Sequence, residues 1–327
     1  MNNLLTERCN LLAENRNAVY KEFKWNNSLL AVASAMVFTN AGITADVEKM
    51  RTCKQLLKQD KSIFSDFRGI AELMVLSKMA TSPDPGACLE NLTDIYKTLH
   101  KNRVLGGSYL VASALTVYDS CKPSEYSAAA EKTKDIMKAM KARHPWLTSD
   151  SDLAFASLMA VSPKSVDRLI DECEACFEIL KKSFPYHKNA VQSLSQVLTV
   201  CNGDAQRKCD RVTEIFNALQ NRKLKYGKEY ELAALGVFAN TNISADLLAD
   251  EIGEAFNLLK EFKGFGSLSM TKYQRLMFAS MLAAGIYTDS SEIADTAAFN
   301  SLLTAITAQQ AAMAAAVASS SAAANNS

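Results

Sequence analysis

The stretch Cys173-Glu174-Ala175-Cys176-Phe177-Glu178-Ile179-Leu180 decides the fold of this chain. Its order of apolar and polar residues returns in good copies at 92–99, 212–219 and 252–259, and in poorer copies at 50–57 and 133–140. The copies recur about every 40 residues, a period typical of arrays of two-helix units. The sequence therefore predicts a series of helical hairpins. Each copy of the pattern corresponds to the long helix of one hairpin.

Apolar columns run through the aligned copies. The first column holds Cys53, Ile95, Ile136, Cys176, Ile215 and Ala255. Four residues later, the last column holds Leu57, Leu99, Met140, Leu180, Leu219 and Leu259. The column directly after the first is aromatic or apolar in every copy except the one with Lys54. Offsets of three and four residues share one helix face, so each long helix is expected to bury this face.

Shorter segments rich in Ala, Ser, Leu and Met alternate with the copies. They carry few charges, and we predict helices that are buried over most of their circumference. Their predicted ranges are 29–39, 70–80, 109–118, 153–161, 190–200, 230–239 and 273–284.

Together these patterns predict an all-α protein made of tandem helical hairpins. The hairpins are expected to stack into an α/α superhelix (a solenoid), and a closed α/α toroid is the alternative, because each pair cannot bury its apolar face alone. With no change of composition inside the chain, we predict a single domain over residues 1–318. Residues 319–327 are low in complexity, and we expect a disordered tail there.

Composition narrows the classes of partner. The 327 residues carry a formal net charge of +1, so no global field attracts nucleic acid or an anionic membrane, and neither is expected as a partner. No apolar run reaches the roughly 18 residues of a membrane-spanning helix, and no signal peptide is visible. A cytoplasmic location is expected, with the 8 cysteines reduced.

The pair Cys173-x-x-Cys176 has the spacing of a metal or dithiol site. Such a site needs a second pair at fixed spacing or a redox fold around it, and the sequence holds neither. Both cysteines stand in repeat columns that hold aliphatic residues elsewhere, and free Cys packs as a small apolar residue. We therefore predict core packing for both residues, with no metal and no cofactor.

Candidate binding residues lie in the connections that follow the long helices. They are aromatic, basic or imidazole side chains, namely Arg68, His144, Trp146, Tyr186, His187, Lys225 and Tyr226. If the hairpins stack in order, these loops line one edge and offer a recognition surface, because binding residues often lie on loops held by a rigid scaffold. The alternative is that each aromatic plugs the space between successive hairpins, and of the two we favour plugging.

No His-Glu-x-x-His, serine-nucleophile or paired-aspartate motif occurs in the sequence. The leading hypothesis is therefore a non-catalytic binding or scaffold protein that recognises a peptide or a protein. The alternative is an enzyme or small-molecule binder whose site lies in the central cavity of a toroid. Whether any reaction is catalysed stays open at this point, with no catalysis favoured.

Several stretches resemble one protein family. They are Cys9-Asn-Leu-Leu-Ala-Glu-Asn-Arg16, Thr44-Ala-Asp46, Lys188-Asn-Ala-Val-Gln-Ser-Leu-Ser195 and Gln274-Arg-Leu-Met277. The resemblance covers nearly the whole chain and is to the family of unknown function numbered 4003, found in Gram-positive bacteria. It implies a bacterial cytoplasmic protein and carries no activity, substrate or site residue with it.

Overall fold

The structure is a computed structural model that describes residues 2–23, 28–59, 65–68, 71–101, 107–287 and 307. Within these ranges every regular element is a helix and no strand occurs, so the all-α prediction is confirmed. The predicted tail 319–327 lies outside the described residues. No helix in the described part of the chain is both long enough and apolar enough to traverse a lipid bilayer.

The α-helices follow the predicted alternation of long and short segments. They are α1 Asn3–Glu22, α2 Ser28–Asn40, α3 Val47–Gln59, α4 Glu72–Thr81, α5 Pro85–His100, α6 Ser108–Ser120, α7 Tyr126–Arg143, α8 Leu153–Ala160, α9 Val166–Ser183, α10 Lys188–Thr199, α11 Ala205–Asn221, α12 Ala245–Glu261 and α13 Lys272–Ala284. Short 3₁₀ turns occur at Ser65–Arg68, Pro123–Glu125 and Asp150–Asp152.

One predicted short helix differs from the others in its backbone. Residues Tyr230–Phe238 form a 3₁₀ helix of nine residues, although runs longer than about four residues are uncommon. Inside it, a Cβ atom on Gly236 would lie 2.3 Å from Cγ1 of Val197 in α10. Only a glycine therefore allows this helix to approach α10 so closely.

The long helices bury the face that the repeat columns predict. Every member of the first column and of the last column is buried, from Cys53 and Leu57 in α3 to Ala255 and Leu259 in α12. The column between them is mixed. Tyr96, Phe177 and Phe216 are buried in it, whereas the other three members are half-buried. The periodicity therefore located the core face of all six copies.

The short helices are buried almost all round. All eight residues of α8 are buried, and so are the last ten residues of α13. Their serine hydroxyls bond within this interior: Ser34 and Ser77 lie 2.5 Å apart between α2 and α4, and Ser195 donates to the carbonyl oxygen of Val191 at 2.8 Å. A buried hydroxyl that forms a hydrogen bond with its own helix or with a neighbouring helix avoids the free-energy cost of an unsatisfied polar group.

The chain divides into two compact units. The first comprises residues 1–10, 136–148 and 162–303, and the second comprises residues 11–135, 149–161 and 304–327. In the first unit α9 packs on α10 and α11, and α11 packs on α12. In the second unit α2 packs on α4, α5 on α6, and α6 on α8. In both units, then, helices of neighbouring hairpins are packed against one another.

Candidate functional site

Four loops of the first unit follow the carboxyl ends of long helices and concentrate positive charge. These stretches, residues 141–148, 181–188, 221–229 and 260–272, are called the basic loops below. They hold 12 of the 36 Lys and Arg residues of the chain but only 2 of its 35 Asp and Glu residues. The helix dipole favours cations near the carboxyl end of a helix. This preference alone does not explain why acidic residues are so rare in these loops.

Three of the basic loops also expose a large apolar side chain. Trp146, Tyr186 and Leu268 are exposed to 99%, 92% and 105% of their reference areas. Single exposed apolar residues are common on soluble proteins. Here each of the three protrudes from a loop that contains lysine or arginine side chains, so apolar and cationic groups alternate on the same segments.

Buried aromatic side chains anchor the loops. The ring of Phe184 packs edge-on against Phe216 with centroids 5.0 Å apart. The hydroxyl groups of Tyr226 and Ser280 lie 3.0 Å apart, and the carbonyl oxygen of buried Phe265 accepts a hydrogen bond of 2.6 Å from Arg275. These aromatic rings are buried, whereas Trp146 and Tyr186 are exposed to solvent.

The loop that carries Trp146 is held by its own hydrogen bonds. The carbonyl oxygen of His144 accepts from the amides of Leu147 and Thr148 at 3.1 and 3.0 Å. The ammonium group of Lys141 donates to the carbonyl oxygen of Thr148 at 2.9 Å. A loop tied at both ends presents its tip in one position, which lowers the entropy lost when a partner binds.

Contacts join neighbouring loops to one another. Nδ1 of His187 lies 2.9 Å from Oε1 of Glu229, which connects the second basic loop to the third. The amide of Gln274 donates to the hydroxyl of Tyr230 at 2.7 Å, just beyond the third and fourth loops. The second and third basic loops are therefore in contact, and the segments that follow the third and fourth loops are in contact as well.

A cleft lies beside the first basic loop. It has an empty volume of about 310 Å³ that includes space open to solvent, and it is lined by Met140, Arg143, His144, Ile170, Cys173, Glu174, Phe177 and Gln192. Nε2 of His144 lies 2.7 Å from Oε2 of Glu174, and Nη2 of Arg143 lies 2.7 Å from Oδ1 of Asp171. These pairs join the end of α7 to the middle of α9.

The predicted binding residues fall into three groups. His144, Trp146, Tyr186, His187 and Lys225 belong to the basic loops, with Trp146, Tyr186 and Lys225 exposed. Tyr226 belongs to the same loops but is buried. Arg68 lies in the second unit, exposed at the end of the 3₁₀ turn Ser65–Arg68.

Cys173 and Cys176 lie in the core, as predicted. The thiol of Cys209 on α11 donates to the carbonyl oxygen of Cys176 at 3.7 Å, and the contact between the two thiols lowers the pKa of Cys176 and raises the pKa of Cys209. In the described ranges no cluster of three or more His, Cys, Asp and Glu side chains is arranged to hold a metal ion. Cys173 also forms part of the cleft wall.

Comparison with known proteins assigns a family. A family model described as "Protein of unknown function (DUF4003)" matches residues 15–311. The chain belongs to the DUF4003 family. No curated protein and no solved structure matched it. The resemblance seen in the sequence is thereby confirmed, and no activity comes with the family.

The sequence of this DUF4003 chain does not indicate one feature of the structure: a partly buried ion cluster around Glu172 of α9. The carboxylate of Glu172 binds the ammonium groups of Lys164, at 2.6 Å, and of Lys208. Lys208 also donates to the carbonyl oxygens of Leu198 and Cys201 at 2.7 and 3.2 Å. It therefore holds the carboxyl end of α10 against α11. No sequence signal marks it, because Glu172 and Lys208 are 36 residues apart and all three members look like ordinary surface charges.

A second missed feature is the exposed Leu268. A lone leucine in a loop carries no local signal in the sequence. The uneven distribution of charge among the four loops was a signal that counting could have found. Counting charged residues distinguishes the basic loops, which are strongly positive, from the rest of the chain, although the chain as a whole has almost no net charge.

Proposed function

We propose that this protein is a binding or scaffold protein whose basic loops recognise an acidic segment of a partner protein. The observation that carries the proposal is the exposure of Trp146, Tyr186 and Leu268 among lysines that have almost no acidic neighbours in sequence. Trp and Tyr are enriched among the residues that dominate binding energy at protein interfaces. A cluster of cations raises the association rate of an anionic partner and discriminates against basic ones.

A protein partner fits better than a nucleic acid. Binding to a nucleic acid backbone is dominated by neutralised phosphates, and proteins that do this carry a strongly basic face. Several cations of the basic loops are already committed to carboxylates of this chain: Arg143 to Asp171, Lys181 to Glu178, and Arg222 to Asp246 and Asp250. The exposed lysines that remain, such as Lys182, Lys223 and Lys225, match a short run of Asp and Glu residues.

The proposal includes an arrangement of the hairpins. Within each unit, successive hairpins would stack as repeats of about 40 residues, as in an α/α superhelix. Packing of α9 on α11 and of α11 on α12 supports this, because long helices of consecutive repeats are then neighbours. A cytoplasmic location is also proposed. It is supported by eight cysteines that are all free, as in a reducing compartment.

The test uses a fluorescein-labelled oligo-glutamate peptide and measures its anisotropy as the protein is added. We expect binding that weakens as salt rises, because the charges are exposed and screened. The triple variant Lys182→Glu, Lys223→Glu, Lys225→Glu should lose it. A matched variant with the same charge change, Lys58→Glu, Lys101→Glu, Lys122→Glu, should retain it, since these exposed lysines lie in the second unit.

Two results would overturn the proposal. One is the absence of peptide binding at low salt. The other is an equal loss of binding in both charge-reversal variants, which would indicate an unspecific charge effect. Parallel titrations with a DNA duplex and with vesicles of anionic phospholipid separate the partner classes. If the DNA or the vesicles bind more tightly than the peptide, then the partner is a nucleic acid or a membrane and not an acidic protein segment.

A further inference from the structure

Two buried cysteines of the first unit meet between neighbouring long helices. Cys176 on α9 and Cys209 on α11 are both fully buried, and α9 packs on α11. The sulfur of Cys209 lies 3.7 Å from the carbonyl oxygen of Cys176, and the two thiols are themselves in contact. Cysteines whose side chains meet in this way can be joined by a disulfide without a large movement of the backbone.

The surroundings of the pair favour a thiolate on Cys176. The contact with Cys209 lowers the pKa of Cys176, and the ammonium groups of Lys208 and Lys164 also lower it, whereas burial and Glu172 act in the opposite direction. The same contact raises the pKa of Cys209, which therefore remains a thiol. Because the thiolate is the form that attacks an oxidant, Cys176 is the sulfur that reacts first.

We propose that Cys176 and Cys209 form a reversible disulfide when the protein meets hydrogen peroxide. The thiolate of Cys176 attacks one oxygen of the peroxide, the O–O bond breaks, and hydroxide leaves to become water, so that a sulfenic acid remains on Cys176. The sulfur of Cys209 then attacks the sulfur of this acid. The S–S bond forms, the S–O bond breaks, and the oxygen leaves as water with the proton of Cys209. Two thiols and one peroxide thus give one disulfide and two waters, and this inference does not depend on the proposed function.

The second unit holds a pair of cysteines for comparison. Cys53 stands in the same repeat column as Cys176, and Cys88 lies near the start of α5, as Cys209 lies near the start of α11. Both are buried, and burial is the main cause that raises the pKa of each thiol. The thiol of Cys88 also hydrogen-bonds with the hydroxyl of Tyr118. Neither cysteine is held as a thiolate, so we expect this pair to stay reduced.

The test treats the full chain with hydrogen peroxide, blocks the remaining thiols with N-ethylmaleimide in denaturant, and identifies linked tryptic peptides by mass spectrometry. We expect residues 169–181 to be linked to residues 209–211, and dithiothreitol should separate them. The first peptide contains both Cys173 and Cys176, and two variants decide between them. Cys173→Ala should keep the link, whereas Cys176→Ala should lose it.

A second measurement compares the melting temperature before and after oxidation. The disulfide joins residues that are 33 positions apart, and closing such a loop restricts the unfolded chain. The melting temperature should therefore rise by several degrees and return to its first value after dithiothreitol. In Cys176→Ala, peroxide should produce no such rise.

Four results would overturn the proposal. The first is the absence of the link although peroxide oxidises half-buried Cys121 in the same sample. The second is a link that disappears in Cys173→Ala, which would assign it to the wrong cysteine. The third is an equal yield of a link between Cys53 and Cys88, which would show that the surroundings of Cys176 do not select its pair. The last is a lower melting temperature of the linked protein, because the helices would then have to leave their native positions to form the bond.

Discussion

Two glutamates of α9 that are two residues apart, Glu172 and Glu174, form ion pairs in different surroundings. Glu172 lies between two lysines, one of which, Lys208, is completely buried. Glu174 pairs with His144 at the rim of a cleft that is open to solvent. A buried cation that loses its partner is costly, whereas an exposed pair contributes about 0–1 kcal/mol. The cluster on the side of α9 facing α11 therefore maintains the fold, whereas the pair on the side facing α7 contributes little to it.

The largest expected effect tests whether the wall of the cleft is also part of the core. Phe177 is only 7% exposed and belongs to the repeat columns. Phe177→Ala should lower the free energy of unfolding by about 3–5 kcal/mol, because it removes a buried ring and leaves a cavity. Urea denaturation followed by circular dichroism measures this. A loss below about 0.5 kcal/mol would show that the column faces water, and the hairpin interpretation would then be wrong.

The next effect concerns the buried ion cluster. Lys208→Met removes the ammonium group that binds Glu172 and two carbonyl oxygens at the end of α10. We expect a loss of about 3 kcal/mol, because one partner of a buried pair is removed and polar groups are left unsatisfied. Lys182→Met is the matched control on the exposed surface and should change stability by less than about 0.5 kcal/mol. Similar values for the two variants would mean that the cluster is not structural.

Glu172 should also contribute to the dependence of stability on acid. Burial by itself would raise the pKa of Glu172, but hydrogen bonds from Lys164 and Lys208 outweigh it, and the pKa of Glu172 is lowered from 4.5. Its stabilising effect is therefore complete above pH 4.5 and is lost as the pH falls below that value. Glu172→Gln should weaken the decline of stability below pH 4.5, compared with the unaltered protein. A variant with an unchanged acid profile would exclude Glu172 as a cause of acid lability.

The core of this fold could be predicted because its signal is local. Columns three and four residues apart mark a helix face whatever surrounds the helix, and this holds for all six copies, from Cys53 to Ala255. The short helices were located to within about two residues by their composition and the turns that flank them. The 3₁₀ geometry of residues 230–238 was not predicted, because it accompanies the approach of Gly236 to Val197, a contact between distant parts of the chain.

The candidate site could be predicted only in part. Sequence patterns selected loop aromatics but could not separate Tyr186, which is exposed, from Tyr226, which is buried. The hydroxyl of buried Tyr226 meets that of Ser280, 54 residues further along the chain. The cleft could not be predicted either, because it requires α7, α9 and α10 to meet around His144 and Phe177. The spacing of residues along the chain does not show which helices meet in the fold.

The smallest effects separate exposed from buried aromatics within the basic loops. Trp146→Ser and Tyr186→Ser should change the free energy of unfolding by less than about 0.5 kcal/mol, because their side chains have little to lose on unfolding. Tyr226→Phe should cost about 0.5–1.5 kcal/mol, since it removes the hydroxyl that meets Ser280.

Thermal unfolding of the three variants, measured side by side, resolves this difference. A loss above about 1 kcal/mol for Tyr186→Ser would show that this ring stabilises the loop against the body of the unit. Tyr186 would then be a plug like Phe184, and the proposed recognition surface would lose one of the three apolar residues on which it depends. If Trp146→Ser and Tyr186→Ser keep full stability but no longer bind the acidic peptide, these rings serve recognition alone, which is the division that exposure of the two side chains implies.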